Sequence, residues 1–297
     1  MRHSHLLLLL FLALGLVSCT KEDADPPVED PTDGGPRLIL KFRFDSTQVR
    51  LNNLGGASTV PAGRGAQSPR FNRMSAHYVE FAPTATTQLG QGDVVYFAPE
   101  TTMGGANAID HDLGLNVADG QAFVNIPLSD LGPGTYQWLR VSLAYQNYDV
   151  RFYYNDVGYL GTIASFIGYN TYISSFLVHD STLTVNANKP QGYWAFEVQD
   201  PPMPIPVTEG QAPGTTVVNP IFNTSPIPAG SCVVTGAFQA PLTITGNETA
   251  DVVITVSLST NKSFEWVDAN GNQRFDVETG NETVVDMGIR GMLPIVE

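Results

Sequence analysis

Cysteine is almost absent. Cys19 and Cys232 are the only two in 297 residues, and the first lies in an N-terminal apolar stretch, so no internal disulfide framework is expected. Cys232 opens a strand-like run with Val233 and Val234 and reads as a buried, inert thiol. Positive charge is also scarce: 15 Lys and Arg stand against 29 Asp and Glu, a formal net charge of −14. That balance argues against nucleic acid as a partner and against charge-driven adhesion to anionic lipid. No apolar run reaches the roughly 20 residues of a membrane-spanning helix, and the run at Leu6 to Val17 falls well short.

Short catalytic signatures are missing as well. The chain holds no Gly-x-Ser-x-Gly elbow, no His-Glu-x-x-His and no Gly-x-x-x-x-Gly-Lys-Ser/Thr phosphate loop. Past the N-terminal stretch, histidine chemistry would have to use His77, His111 or His179. A glycan hydrolase built on two carboxylates carries no short motif, so that class stays open as the alternative to a non-catalytic module.

What the chain has in quantity is alternation. In Arg37-Leu38-Ile39-Leu40-Lys41-Phe42-Arg43-Phe44, residues Leu38, Leu40, Phe42 and Phe44 share one face and Lys41 and Arg43 the other. Val252, Ile254, Val256 and Leu258 repeat the pattern. Short β-branched or aromatic runs follow at 136–145, 150–154, 172–178, 193–198 and 233–238, separated by Gly, Pro and Asn turns. No segment carries a sustained helical stripe. The expectation is an all-β fold, an antiparallel β-sandwich of immunoglobulin-like or jelly-roll-like type with long loops and almost no helix. Residues 54–72, rich in Gly, Ala, Ser and Pro, are expected to decorate one end of the sheets. Residues 200–228 hold eight prolines and read as a crossover over the sandwich surface, or as a linker.

The N-terminus has the layout of a secretory signal, with Arg2 ahead of a short apolar core and small residues at its end. Leu16-Val17-Ser18-Cys19 resembles the lipobox of bacterial lipoproteins, which implies removal of residues 1–18 and acylation of Cys19. Residues 19–36 are acidic and proline-rich with almost nothing apolar to bury, so they are expected to form an extended tether. Lys21-Glu22-Asp23 is similar to the acidic export signal of surface-exposed lipoproteins. The implied location is the outer membrane, lipid-anchored and facing outward. One domain is expected over 37–297, with 37–198 and 229–297 as the alternative division.

The sharpest local pattern lies near the C-terminus. Asp268, Asn270 and Asn272 occupy the first, third and fifth positions of an EF-hand-like calcium loop; Arg274 would offer its carbonyl at the seventh, and Asp276 falls at the ninth. The sixth position is Gln273 where that loop requires glycine, and the twelfth is Thr279 where it requires glutamate. Glu278 or Glu282 would have to close the shell. The competing account is an ordinary Asn270-Gly271 turn.

A second cluster, Asp110-His111-Asp112, puts two carboxylates on one strand face or, in a loop, three ligands together. His77 shares a strand face with Val79 and Phe81 by alternation, as a core-edge residue. Met74, His77, Met103 and His111 are the soft and imidazole groups from which a copper site would be drawn. The aromatic supply, including Tyr145, Tyr148, Tyr153, Tyr154, Tyr159, Tyr169, Tyr172, Trp138 and Trp194, would make a glycan-stacking platform if it faced solvent.

Leu40-Lys41-Phe42-Arg43-Phe44-Asp45, Ser75-Ala76-His77-Tyr78-Val79-Glu80, Leu131-Gly132-Pro133-Gly134-Thr135-Tyr136 and Phe238-Gln239-Ala240-Pro241-Leu242-Thr243-Ile244 together resemble the MbnP-like domain, a copper-associated family of secreted β proteins. The resemblance implies the β fold and an association with copper. The expected function is a surface-exposed, lipid-anchored, non-catalytic binding module, metal-binding through calcium or copper, whose partner is a glycan or another envelope protein. The alternative is a glycan-active hydrolase or a glycan-binding accessory lipoprotein.

Overall fold

In the computed structural model, the described residues are 34–201, 205–212, 223–278 and 282–297. Among them the chain is all-β, organised in antiparallel multi-stranded sheets, one of them bent into a half-barrel, consistent with a β-sandwich. The one helical element described is the 3-10 turn Leu128–Asp130.

The longest strand, Gly134–Tyr154, organises the architecture. It pairs antiparallel with Arg70–Ala82, with Val157–Phe166 and with Cys232–Ile244. β-branched and aromatic residues recur along it, interleaved with polar ones such as Arg140, Gln146 and Asp149, and it is buried continuously from Leu139 to Val150. It ends in a two-residue hairpin, where Asn155 and Asp156 have φ of 48° and 60°. Positive φ at both positions matches the right-handed twist of the flanking strands, and Asn and Asp tolerate it.

Arg37–Asp45 follows the alternation. Leu38, Leu40 and Phe42 are fully buried, while Ile39, Lys41 and Arg43 lie on the other face. This strand runs parallel to Val252–Ser259 in the register Leu40↔Ile254 and Phe42↔Val256, and antiparallel to Ala122–Pro127. Strands from the last quarter of the chain thereby complete sheets that begin upstream. On the inner faces of the sheets, Phe42 stacks on Phe123 of the neighbouring strand at 4.5 Å, and Phe81 on Phe238 of the same sheet at 6.0 Å. Truncating a residue such as Leu40 to alanine in a core this dense costs about 2–5 kcal/mol.

Two loop expectations are corrected. Residues 54–72 are partly ordered sheet: Arg64–Gln67 pairs with Phe264–Val267, and Arg70 opens a thirteen-residue strand. The small or polar residues Arg64-Gly65-Ala66-Gln67 disguised that pairing, because the bulk filling this layer comes from Trp266 across the ladder. Within 200–228, Thr208–Gln211 pairs with Tyr193–Val198 as an edge strand, while 202–204 and 213–222 lie outside the described residues. Cys19 and the tether up to residue 33 lie outside them too.

Candidate metal centre

The loop after Phe264–Val267 is anchored by aromatics at both ends. Trp266 is buried, and Phe275 packs on Phe264 and Trp266 at 5.4 and 5.6 Å. Between those anchors the backbone closes tightly. Asp268 Oδ2 accepts from the backbone N–H of Gln273 at 3.2 Å and from its side-chain amide at 2.5 Å. Asn270 Oδ1 accepts from Asn272 N–H at 3.0 Å, and Asn272 Oδ1 from Arg274 N–H at 2.7 Å. Gln273, at the sixth position, takes φ of 59°. The left-handed turn for which glycine is the usual solution is therefore made here by glutamine, at a steric cost of roughly 1 kcal/mol.

Asp276 is 5% exposed. Its Oδ2 accepts from Asn270 Nδ2 at 2.8 Å and Asn272 Nδ2 at 2.7 Å, and its backbone N–H donates to Glu282 Oε2 at 2.7 Å. Burial pushes the Asp276 carboxyl up, but the bonds from Asn270 and Asn272 and the charge of Arg274 outweigh it, and the net shift is downward. Two oxygens in this loop are buried without a partner: Asp268 Oδ1 and Glu282 Oε1. Glu282 itself is 8% exposed. A buried carboxylate oxygen with no donor is costly unless a donor or a cation supplies the missing interaction.

The twelfth-position question also has a geometric answer. Glu278 is turned away, its Oε1 accepting from Asn155 N–H at 2.7 Å. Glu282 is the residue that reaches back into the loop, so closure would come three positions later than in the EF-hand pattern. Arg274 sends its guanidinium outward, to Asp156 at 2.8 Å and over the Tyr153 ring at 4.7 Å. Among the described residues no three His, Cys, Asp or Glu side chains converge closely enough to hold a metal by themselves. A cation here must also draw on amide and backbone oxygens, the mixed oxygen set that calcium accepts at 2.3–2.6 Å. Asn270 and Asn272 would take part through the second lone pair of each Oδ1.

The four copper candidates stand in four different surroundings. Met74 is fully buried in the apolar core, and Met103 is 72% exposed. His111 packs against Tyr145 and Phe166 at 4.9 and 5.0 Å. His77 bonds through Nε2 to Glu100 Oε1 at 2.9 Å, beside Phe97 and Tyr169. Alternation put His77 with Val79 and Phe81, yet the pairing of Arg70–Ala82 with Gly134–Tyr154 slips between Ala76 and Tyr78. His77 is the extra residue of a bulge, which re-aims its side chain. Burial holds its pKa below the ordinary value, against the upward pull of Glu100.

Asp110-His111-Asp112 is a turn: Asp110 Oδ1 caps the backbone N–H groups of Asp112 and Leu113. Of the aromatic set, Tyr145, Tyr148 and Tyr172 are buried, while Tyr154 is 51% exposed. Cys232 is half-buried, and burial of its thiol pushes its pKa up to about 11, leaving it protonated at neutral pH.

Two buried charge centres have no signature in the sequence. Glu265, 1% exposed, is surrounded by Arg50, Arg64 and Arg290. Glu80 lies 3.6 Å from Arg140, both fully buried, and Glu80 Oε1 takes the N–H groups of Gly90 and Gly92. Their partners come from far along the chain, so no local spacing announces them. Comparison with protein-family models, with curated proteins and with solved structures found no match for this chain.

Proposed function

We propose that this protein is a lipid-anchored, non-catalytic binding module displayed on the outer face of a bacterial outer membrane, with its fold fastened by one calcium ion. The observation that supports the ion is the pair of buried, partnerless oxygens, Asp268 Oδ1 and Glu282 Oε1, in the loop that buries Asp276. Asp268, Asn270, Asn272, Asp276 and Glu282 would hold it, with the Arg274 carbonyl. Calcium bound there would supply the partner that these two buried carboxylate oxygens lack. A protein facing the outside meets calcium at levels that fill sites of about 10⁻⁴–10⁻³ M.

Location is supported by Leu16-Val17-Ser18-Cys19 and the acidic segment behind it. The copper association that the MbnP-like resemblance implies gains no support from Met74, His77, Met103 and His111, given their separate surroundings. A Cys19→Ala variant should remain unprocessed or appear in the soluble fraction, and protease added to intact cells should remove the wild-type protein. Elemental analysis of the native protein should find close to one calcium per chain. Full protease resistance on intact cells, with digestion only after permeabilisation, contradicts outward display; copper without calcium contradicts the ion assignment.

A further inference from the structure

We propose that calcium held by residues 268–276 and Glu282 fastens the tip of the hairpin formed by Gly134–Tyr154 and Val157–Phe166, so that order in this tip follows calcium occupancy; this rests on the calcium reading above. The tip has little apolar packing of its own. Tyr154 and Val157, which flank the turn and face one another, are each 51% exposed. Asn155 and Asp156 both sit at positive φ. An exposed turn of this kind belongs to the part of a fold that opens most easily.

What holds the tip comes from the loop. Tyr153 N–H donates to Phe275 C=O at 2.8 Å, and Val277 N–H to Tyr153 C=O at 3.0 Å, a parallel bridge centred on Asp276. Asn155 N–H donates to Glu278 Oε1 at 2.7 Å. Arg274 joins Asp156 and covers the Tyr153 ring. These contacts belong to residues 274–278, the stretch centred on the ligand Asp276. Any movement that separates Asp276 from Asn270, Asn272 and Glu282 carries Phe275 and Val277 with it. Without a cation, the buried oxygens Asp268 Oδ1 and Glu282 Oε1 keep no partner, and that favours the movement. With one, the loop is drawn in and Tyr153 is gripped from both sides. Calcium and tip order are then linked, each favouring the other.

Hydrogen–deuterium exchange of the full chain, read peptide by peptide in about 5 mM calcium chloride and in chelator, tests this. Calcium should slow exchange about tenfold or more both in residues 264–278 and in residues 150–160, with no change in residues 38–45. Glu278→Ala removes the acceptor of Asn155 N–H at the hairpin tip and touches no proposed ligand. It should retain the calcium response of the loop while weakening that of the hairpin. Slowing confined to 264–278 in the wild type overturns the coupling but leaves the calcium site standing. The absence of any calcium response in the loop overturns the site itself, and the coupling with it.

Discussion

Replacing Glu265 by glutamine should destabilise the protein by about 3–5 kcal/mol, the range for breaking a buried ion pair by removing one partner. Glu265 is 1% exposed, and the side chains of Arg50 and Arg290 beside it are 8% and 15% exposed. Neutralising it leaves Arg50 enclosed with no counter-charge and Arg290 with Asp286 alone, and water reaches neither guanidinium well. Arg64, whose side chain is 34% exposed, can rehydrate and adds little. The geometry ties three distant segments together, since Arg50 also donates to the carbonyl of Asn261 and Arg290 pairs with Asp286 at 2.5 Å. The loss is a large share of a typical total stability of about 5–15 kcal/mol. Urea unfolding at pH 7 should show a midpoint lowered by about 1 M or more with an unchanged slope.

The acid side provides a second readout on the same residue. Burial pushes the Glu265 carboxyl up, but its bonds from Arg50 and Arg64 and the charge of Arg290 outweigh it and hold it below the ordinary glutamate range. A depressed carboxyl contributes stability that is present above the unfolded pKa and lost as pH falls below it. The wild type should therefore lose this contribution below about pH 4.5, whereas Glu265→Gln should lack that part of the decline. An unfolding free energy for Glu265→Gln within about 0.5 kcal/mol of wild type, the range of an ordinary surface change, would refute the hub.

Two further outcomes follow from the packing. The folded state resists protonating His77, so stability should be full above pH 6.5 and fall as the unfolded chain takes up the proton below it. Between pH 7.5 and 5.5 the His77 contribution to that loss is at most about 1.4 kcal/mol, and His77→Gln should flatten the profile by the same amount; parallel profiles would contradict a neutral buried imidazole. Gly65 lies across the ladder from Trp266, and a Cβ there would run into the indole. Gly65→Ala should cost about 1–3 kcal/mol and alter the near-ultraviolet signal of Trp266, and an unchanged midpoint and spectrum would show that the indole has room.

The strand framework was readable because its signal is local. Leu38-Leu40-Phe42 and Ile254-Val256-Leu258 each face the core by alternation, and both runs are buried as their pattern requires. His77 was misplaced by the same rule, since a bulge adds a residue that a two-residue period does not register. Gln273 marks a different limit: the loop takes its left-handed turn although the residue that favours it is absent, because Asp268 caps the turn from both Gln273 nitrogens. Glu282 lies three residues beyond the expected closing position, and only the folded path brings it to Asp276 N–H. Glu265 and its arginines are far apart in the chain and were not visible in any window of sequence.

Thermal melting with and without calcium bears most directly on the central claim. If the loop binds the ion in the folded state alone, calcium at ten times its dissociation constant adds about 1.4 kcal/mol. For a domain of this size that raises the melting temperature by roughly 3–6 °C. Asp268→Ala and Glu282→Gln should each abolish the shift while still melting cooperatively in chelator. Identical wild-type melting curves in millimolar calcium and in chelator would contradict the account and leave Asn270-Gly271 as an ordinary polar turn.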